Sequence, residues 1–168
     1  MAGSDQPSIG RVVRLGAKPR TPGQRGLPKP ALAKVTVARG GVEGDYNVWR
    51  QEERGGDPDY ALLVMPEETL EQLNHEGWPV RPGDLGENIT TSGVPYAAFE
   101  PPCRFRVGSV LAEVSKACDP CDTLTLLPYV GRARGPEFLK TMMGRRGWYA
   151  RVVNSGEIRE GDPIRLER

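Results

Sequence analysis

Glycine and proline recur along the whole chain and limit the length of any helix that it can form. The 168 residues include 21 glycines and 16 prolines. Proline fixes φ and removes a backbone donor, and glycine marks turns, so both residues interrupt regular elements. We therefore expect short elements joined by many turns. Two short helices are predicted, at residues 66–76, where Pro66 takes the first position and Gly77 ends the helix, and at residues 136–143.

Apolar runs rich in β-branched residues predict strands on either side of these helices. They lie at residues 9–15, 31–37, 60–65, 105–108, 110–114, 148–153 and 158–166. Residues 78–93 are interpreted as a long connection. Many short strands with two short helices indicate a mostly β (α+β) fold, a β-barrel with a few short helices. Residues 1–8 are expected to form a loose N-terminus, and residues 9–168 a single domain.

The segment from residue 16 to residue 30 contains several prolines and several basic side chains, and it cannot be helical. Two interpretations stay open. The segment is either a solvated loop, as its composition usually indicates, or a basic flap that meets an anionic ligand.

The opposite charges of the chain nearly cancel, with 23 Lys and Arg against 22 Asp and Glu, for a net charge of +1. This balance argues against a dedicated binder of nucleic acid or of anionic membranes. No apolar run approaches the roughly 18 residues of a membrane-spanning helix, and no signal-peptide block is present. We therefore expect a cytoplasmic protein that makes no membrane contact.

Two of the three cysteines form a Cys-x-x-Cys pair, Cys118 and Cys121, on the loop that leaves a predicted strand. An odd number of cysteines favours free thiols over a disulfide framework. Loops on a rigid scaffold commonly present catalytic groups, and a nearby cation lowers a thiol pKa from about 8.5. Lys116 supplies such a cation, whereas Asp119 and Asp122 act in the opposite direction. The fraction of thiolate therefore stays open at this point.

Four passages, in the right order, resemble the MOSC domain family, named for the C-terminal domain of molybdenum cofactor sulfurase, in its small stand-alone bacterial form. The resemblance spans about residues 9–166. The passages are Gly44-Asp45 followed by Arg54-Gly55-Gly56 and the run ending at Met65-Pro66, then residues 82–93, residues 105–121 and residues 147–162.

The resemblance implies a fold like the β-barrel of pyruvate kinase with added helices, and chemistry carried by Cys121. That cysteine would carry sulfur as a persulfide, or bind molybdenum in an enzyme that reduces N-hydroxylated compounds. The implied cofactor is the molybdenum cofactor (molybdopterin), a pterin with a phosphate. Asn88 would read the pterin edges, and Arg54 or Lys116 would neutralise the phosphate. The family is also associated with pyridoxal phosphate binding.

The implied partners are a small-molecule cofactor or substrate and a cysteine desulfurase or a redox protein. Two positions depart from the family pattern. The residue three before the Pro-Cys cysteine is usually Arg and here is Cys118, and the usual His before Gly-Gly is Arg54. The first change removes a guanidinium and adds a thiol. Cys118 could act as a resolving thiol that discharges a persulfide as a Cys118–Cys121 disulfide.

Three other interpretations compete with this one. The first is a dithiol oxidoreductase that uses Cys118 and Cys121 without a cofactor. The second is a zinc site of the Cys3His type, made of Cys103, Cys118, Cys121 and His75. The third is a non-catalytic cofactor-binding module whose cysteines are simply buried. By itself, Cys103 is interpreted as a packed thiol, and His75 as a residue of a helix C-terminus.

Overall fold

A closed β-barrel, a small second sheet and two helices make up the architecture. The computed structural model describes residues 9–24, 26–46, 51 and 54–167. Its helices are α1 (Glu67–His75) and α2 (Gly131–Met142). In chain order its strands are β1 (Gly10–Gly16), β2 (Ala31–Leu32), β3 (Lys34–Ala38), β4 (Gly41–Val42), β5 (Leu62–Pro66), β6 (Ile89–Ser92), β7 (Arg104–Val107), β8 (Val110–Ala117), β9 (Trp148–Asn154), β10 (Gly156–Arg159) and β11 (Pro163–Glu167). The expected loose N-terminus, residues 1–8, lies outside the described residues.

The barrel runs through the strands in the order β11-β7-β8-β9-β5-β6-β1, and it closes where β1 pairs with β11. Strand β2 pairs with the C-terminal end of β1, outside the ring of the barrel. Strands β10, β3 and β4 form the second sheet. All these pairs are antiparallel except β5 with β6, which are parallel. Closure confirms the predicted mostly β barrel. A closed barrel has no exposed edge strands, so many short strands can form a stable sheet.

Alternating residues of the strands fill the barrel interior. In β7, Phe105 and Val107 are buried while Arg104 and Arg106 are exposed, as the two-residue period of a strand requires. Phe105 packs edge-to-face against Phe99, with ring centroids 5.7 Å apart. Each such fully buried side chain contributes about 1.5–3 kcal/mol to folding. The barrel is therefore a packed core, and ligand space has to lie outside it.

The two helices bury their apolar faces in a second core beside the barrel. Leu70 and Leu73, the apolar edge predicted for the first helix, are both buried there. On the other helix Phe138 packs against Trp78, with ring centroids 4.7 Å apart. No helix in the described ranges is long and apolar enough to cross a membrane.

The second helix begins at Gly131 and contains Pro136, where the sequence predicts a start at Pro136 itself. A proline inside a helix removes a backbone hydrogen bond. Tertiary packing offsets this cost, because Val130 and Phe138 are buried beside the first turns. Gly135 allows the close approach, since a Cβ there would lie 2.9 Å from Cγ2 of Thr125.

The other differences concern strands. The long connection predicted at residues 78–93 contains β6, whose Ile89 pairs with Val64 of β5 and is fully buried. The run at residues 31–37 divides into β2 and β3, and the run at residues 158–166 is divided between β10 and β11. A four-residue strand has too little periodicity to be recognised without its partner, which explains why β6 was missed.

A buried ion pair fastens the proline-rich segment of residues 16–30 to the rest of the molecule. Lys29 Nζ lies 2.6 Å from Asp45 Oδ2, and the two side chains are 3% and 1% exposed. The other carboxylate oxygen of Asp45 accepts a hydrogen bond from the backbone N–H of Lys18 at 3.0 Å. Asn88 Nδ2 also donates to Asp45 Oδ2, at 2.9 Å. The segment is thus held at both ends by one carboxylate.

We expect Asp45→Ala to lower the free energy of unfolding by about 3–5 kcal/mol, because it removes the carboxylate that partners a buried lysine. Glu157→Ala is the matched control. It breaks the exposed pair between Lys34 and Glu157, whose side chains are 44% and 49% exposed, and should cost at most about 1 kcal/mol. Equilibrium unfolding in urea measures both values. Equal losses in the two variants would contradict the importance of the buried pair.

Candidate functional site

A cavity of about 340 Å³ opens where β8 ends. The whole segment of residues 116–121 lines it, so both cysteines of the Cys-x-x-Cys pair belong to one wall. Gly26, Leu27 and Lys29 also line the cavity. The proline-rich segment therefore contributes to the site, and this agrees with the flap interpretation better than with a solvated loop.

The pairing of β8 with β9 positions this wall. The two strands remain paired as far as Ala117, which lies opposite Trp148, and Lys116 lies opposite Tyr149 beyond a shift in register. Such irregularities turn side chains in a new direction and are common beside functional sites. The backbone N–H of Cys118 then donates to the carbonyl of Gly147 at 2.9 Å. The loop with the two cysteines thus starts from a fixed backbone position.

The two cysteines differ in access to the cavity. The side chain of Cys118 is buried, whereas that of Cys121 is half-buried. The carbonyl of Cys121 accepts a hydrogen bond from the N–H of Leu124 at 3.0 Å, at the start of a 3-10 helix formed by Asp122–Leu126. Cys121 is therefore the thiol that an incoming molecule reaches first.

Cys118 is held mainly in its neutral thiol form. Burial raises its pKa, and the positive charge of Arg146 and a hydrogen bond with Tyr149 oppose this shift without cancelling it. The Cys118 thiol donates to the carbonyl of Asp119 at 3.7 Å. A thiolate is the reactive species, so Cys118 is poorly suited to attack first.

Lys116 and Arg54, the two cations predicted to bind a phosphate, both lie beside Tyr60. Lys116 Nζ donates to the Tyr60 hydroxyl at 3.0 Å and lies 4.5 Å from the centre of its ring. The guanidinium of Arg54 lies 5.5 Å from the same ring centre. All three residues line the cavity, and both cations are exposed. The cavity wall therefore carries these two cations as well as the carboxylate of Asp119.

Arg146 is a site residue that sequence reasoning missed. It lines the cavity and is only 5% exposed, and its Nε and Nη1 have no hydrogen-bond partner among the residues that the structure describes. Gly147 makes the turn that places it, with φ of +101° and no room for a Cβ, which would lie 2.7 Å from the carbonyl oxygen of Val64. In the sequence, Arg146 is one of two adjacent arginines before a glycine, a pattern typical of a solvated turn.

Asn88 is not among the residues that line the cavity. It is 1% exposed, and its Oδ1 accepts from the N–H of Leu63 at 3.1 Å. Its Nδ2 donates to the carbonyl of Gly16 at 3.2 Å and to Asp45 at 2.9 Å. Contacts within the protein thus occupy the groups that were expected to read a pterin. Asn88 supports the wall at Leu63, and direct contact with a cofactor stays a prediction.

The predicted zinc site is wrong. Across the described residues, which include all four proposed ligands, no group of three or more His, Cys, Asp or Glu side chains is placed to hold a metal ion. Cys103 packs against the barrel core, and His75 lies in the last turn of α1. This leaves Cys118 and Cys121 as the cysteines of the site.

The closed barrel agrees with a family comparison. A family model for the MOSC domain matches residues 51–165. The chain belongs to the MOSC domain family. This finding confirms the resemblance to the family, and the matched range covers the four sequence passages except Gly44-Asp45. No curated protein matches the sequence.

Solved structures show the same MOSC fold. YuaD from Bacillus subtilis is 18% identical to this chain, with a TM-score of 0.76 over 94% of both chains. YiiM from Geobacillus stearothermophilus is 26% identical, with a TM-score of 0.71 over 95% of this chain and 75% of YiiM. YiiM from Escherichia coli is 22% identical, with a TM-score of 0.65 over 94% of this chain and 70% of YiiM.

The neutral state of Cys118 can be measured in a variant that carries Cys103→Ser and Cys121→Ser. We expect the rate of alkylation by iodoacetamide to rise with pH around a midpoint above the value of about 8.5 for a free cysteine, because burial raises the pKa. The same variant unfolded in urea provides the reference. A folded midpoint at or below the unfolded one would contradict the assignment.

The supporting role of Asn88 predicts that Asn88→Ala lowers the free energy of unfolding by about 1–3 kcal/mol, because buried backbone groups lose their partners. Asn154→Ala, at an exposed strand end, is the control and should have little effect. Unfolding in urea measures both. Unchanged stability of Asn88→Ala together with weaker binding of a pterin would instead support the direct contact.

Proposed function

We propose that this MOSC protein carries sulfur, or binds molybdenum, through Cys121 in the cavity at the end of β8. The observation that supports this is the accessible thiol of Cys121 in a cavity that Lys116, Arg54 and Arg146 also line. A thiolate is a good nucleophile towards sulfane sulfur and a soft ligand for a metal. Positive charge in the cavity stabilises an anion that binds there.

The residues of the cavity fit a molybdenum cofactor. Cys121 would be the soft ligand. The Nε and Nη1 groups of Arg146, which have no hydrogen-bond partner among the described residues, would donate to a phosphate. Tyr60 and Leu63 provide apolar surface for a flat ring, and the volume lies near the lower limit for small-molecule sites. When bound, the metal would supply the redox chemistry for the reduction of N-hydroxylated compounds.

In the sulfur-carrier form of this proposal, the Cys121 thiolate attacks the terminal sulfur of a persulfide on a donor such as a cysteine desulfurase. A new S–S bond forms at Cys121, the S–S bond of the donor breaks, and the donor thiolate leaves with the electron pair. Lys116 and Arg54 stabilise the persulfide anion on Cys121. Cys121 is half-buried in the cavity wall, and the same thiol would receive the sulfur and present it to an acceptor.

Cys118 is suited to discharge the persulfide. Its neutral, buried thiol does not compete for the donor, and it lines the same cavity as Cys121. Attack by the Cys118 sulfur on the Cys121 sulfur forms the Cys118–Cys121 disulfide and releases hydrosulfide, and a cellular dithiol then reduces the disulfide. A redox protein is the partner that this step needs.

A second candidate is a dithiol oxidoreductase that uses the same pair without a cofactor. The presence of both thiols in one cavity favours it, whereas the raised pKa of Cys118 does not. A binding module without chemistry is the third candidate.

A cytoplasmic location is part of the sulfur-carrier proposal. An association with pyridoxal phosphate stays a prediction at the level of the family.

The central test is Cys121→Ser, expressed in cells that make the molybdenum cofactor. Because a hydroxyl is neither a sulfur acceptor nor a soft ligand, we expect the variant to lose molybdenum and to gain no persulfide sulfur. Metal and pterin analysis and intact-protein mass spectrometry measure both. Cys103→Ser is the control and should behave as wild type, so equal behaviour of the two variants would refute the role of Cys121.

A further inference from the structure

Arg146 differs from the arginine beside it in the chain. Arg145 pairs with the carboxylate of Glu76 through Nη1 and Nη2. Arg146 is turned into the cavity, is 5% exposed, and makes no salt bridge with any carboxylate among the described residues. Its Nε and Nη1 have no hydrogen-bond acceptor within the same part of the chain. Two adjacent arginines thus have opposite environments, one paired at the surface and one buried and unpaired.

A buried charge without a partner is strongly unfavourable, so something has to compensate it. The carboxyl group of Glu87 is one candidate, and its Oε2 has no hydrogen-bond partner among the described residues, but burial raises its pKa and favours the neutral acid. One of its oxygens already accepts hydrogen bonds from the N–H of Gly83 and from Thr90. The other groups beside Arg146 are the weak acids Cys118, Cys121 and Tyr149. The positive charge therefore remains available to a ligand.

We propose that Arg146 forms an oxyanion subsite in the cavity lined by the two thiols. A guanidinium is planar and offers parallel donors, which suits the tetrahedral oxygens of a phosphate or of a sulfur oxyanion. The proposal concerns the cavity of the proposed function and specifies the ligand class, namely a molecule with a terminal oxyanion.

Two sources share this chemistry. One is the phosphate of a pterin cofactor. The other is thiosulfate, a small anionic donor of sulfane sulfur. With thiosulfate, the Cys121 thiolate attacks the outer sulfur, the S–S bond of thiosulfate breaks, and sulfite leaves with the electron pair. Cys121 is then a persulfide, and Arg146 stabilises the departing oxyanion.

The test is isothermal titration calorimetry with inorganic phosphate, and separately with thiosulfate, on wild type, Arg146→Met and Arg165→Met. Arg165 is exposed on β11 and does not line the cavity, so its variant carries the same change in net charge. We expect Arg146→Met to lower the affinity at least about tenfold, as the loss of a charge-assisted contact implies, and Arg165→Met to leave it unchanged. Equal affinities in the two variants would overturn the proposal.

The fold of the variant is checked by thermal unfolding. Methionine replaces a buried unpaired charge, so Arg146→Met should unfold at the same temperature as wild type or higher. A second measurement needs no variant. Phosphate should shift the Nε–H resonance of Arg146 in the NMR spectrum of wild type, and a resonance that does not move at saturating phosphate and thiosulfate would overturn the subsite.

The two sources are separated by mass spectrometry after incubation with thiosulfate. A gain of one sulfur atom on Cys121 that is lost in Arg146→Met supports the subsite with thiosulfate as its ligand. Phosphate binding that depends on Arg146, without any sulfur gain, supports it with a phosphorylated ligand. Cys121→Ser should keep its affinity for phosphate, so failure of the proposed sulfur or metal chemistry is distinguishable from failure of the subsite.

Discussion

The pairing of β8 with β9 is the constraint on which the cavity depends. It carries Lys116 past a register shift to a position opposite Tyr149, and it ends with the hydrogen bond from Cys118 to Gly147. Because the two strands belong to a closed barrel, neither can slide without breaking the pairing around the whole ring. The thiols are thus presented from a rigid frame, although Cys121 itself lies on a loop.

Two buried cations of the cavity wall differ in whether a carboxylate partners them, and this difference distinguishes a structural group from a group that is available to a ligand. Lys29 is as buried as Arg146, but Asp45 partners it at 2.6 Å and the pair holds a segment of the wall in place. Arg146 has no such partner within the described ranges. The proposed subsite therefore places a guanidinium in the cavity from the turn before β9, whereas the loop after β8 supplies the two thiols.

The barrel was predictable from the sequence because strand periodicity and the spacing of glycine and proline are local properties. The start of α2 could not be predicted from the sequence, because it depends on the packing of Val130 and Gly135 against neighbouring elements. The sequence also did not predict the contacts of Asn88 within the protein, since the family resemblance implies that Asn88 reads a pterin. An amide can serve a ligand or the backbone equally well, and the structure shows that Leu63, Gly16 and Asp45 use it.

The amino-acid sequence alone determined the fold class, the family and the two neighbouring thiols, because each depends on residue types and short spacings. The tertiary structure decided which groups surround those thiols. It made Cys118 buried and left Cys121 half-buried, and it brought Arg146 into the same cavity although the two residues are far apart in the sequence. Convergence of side chains distant in sequence depends on long-range packing, which no local pattern encodes.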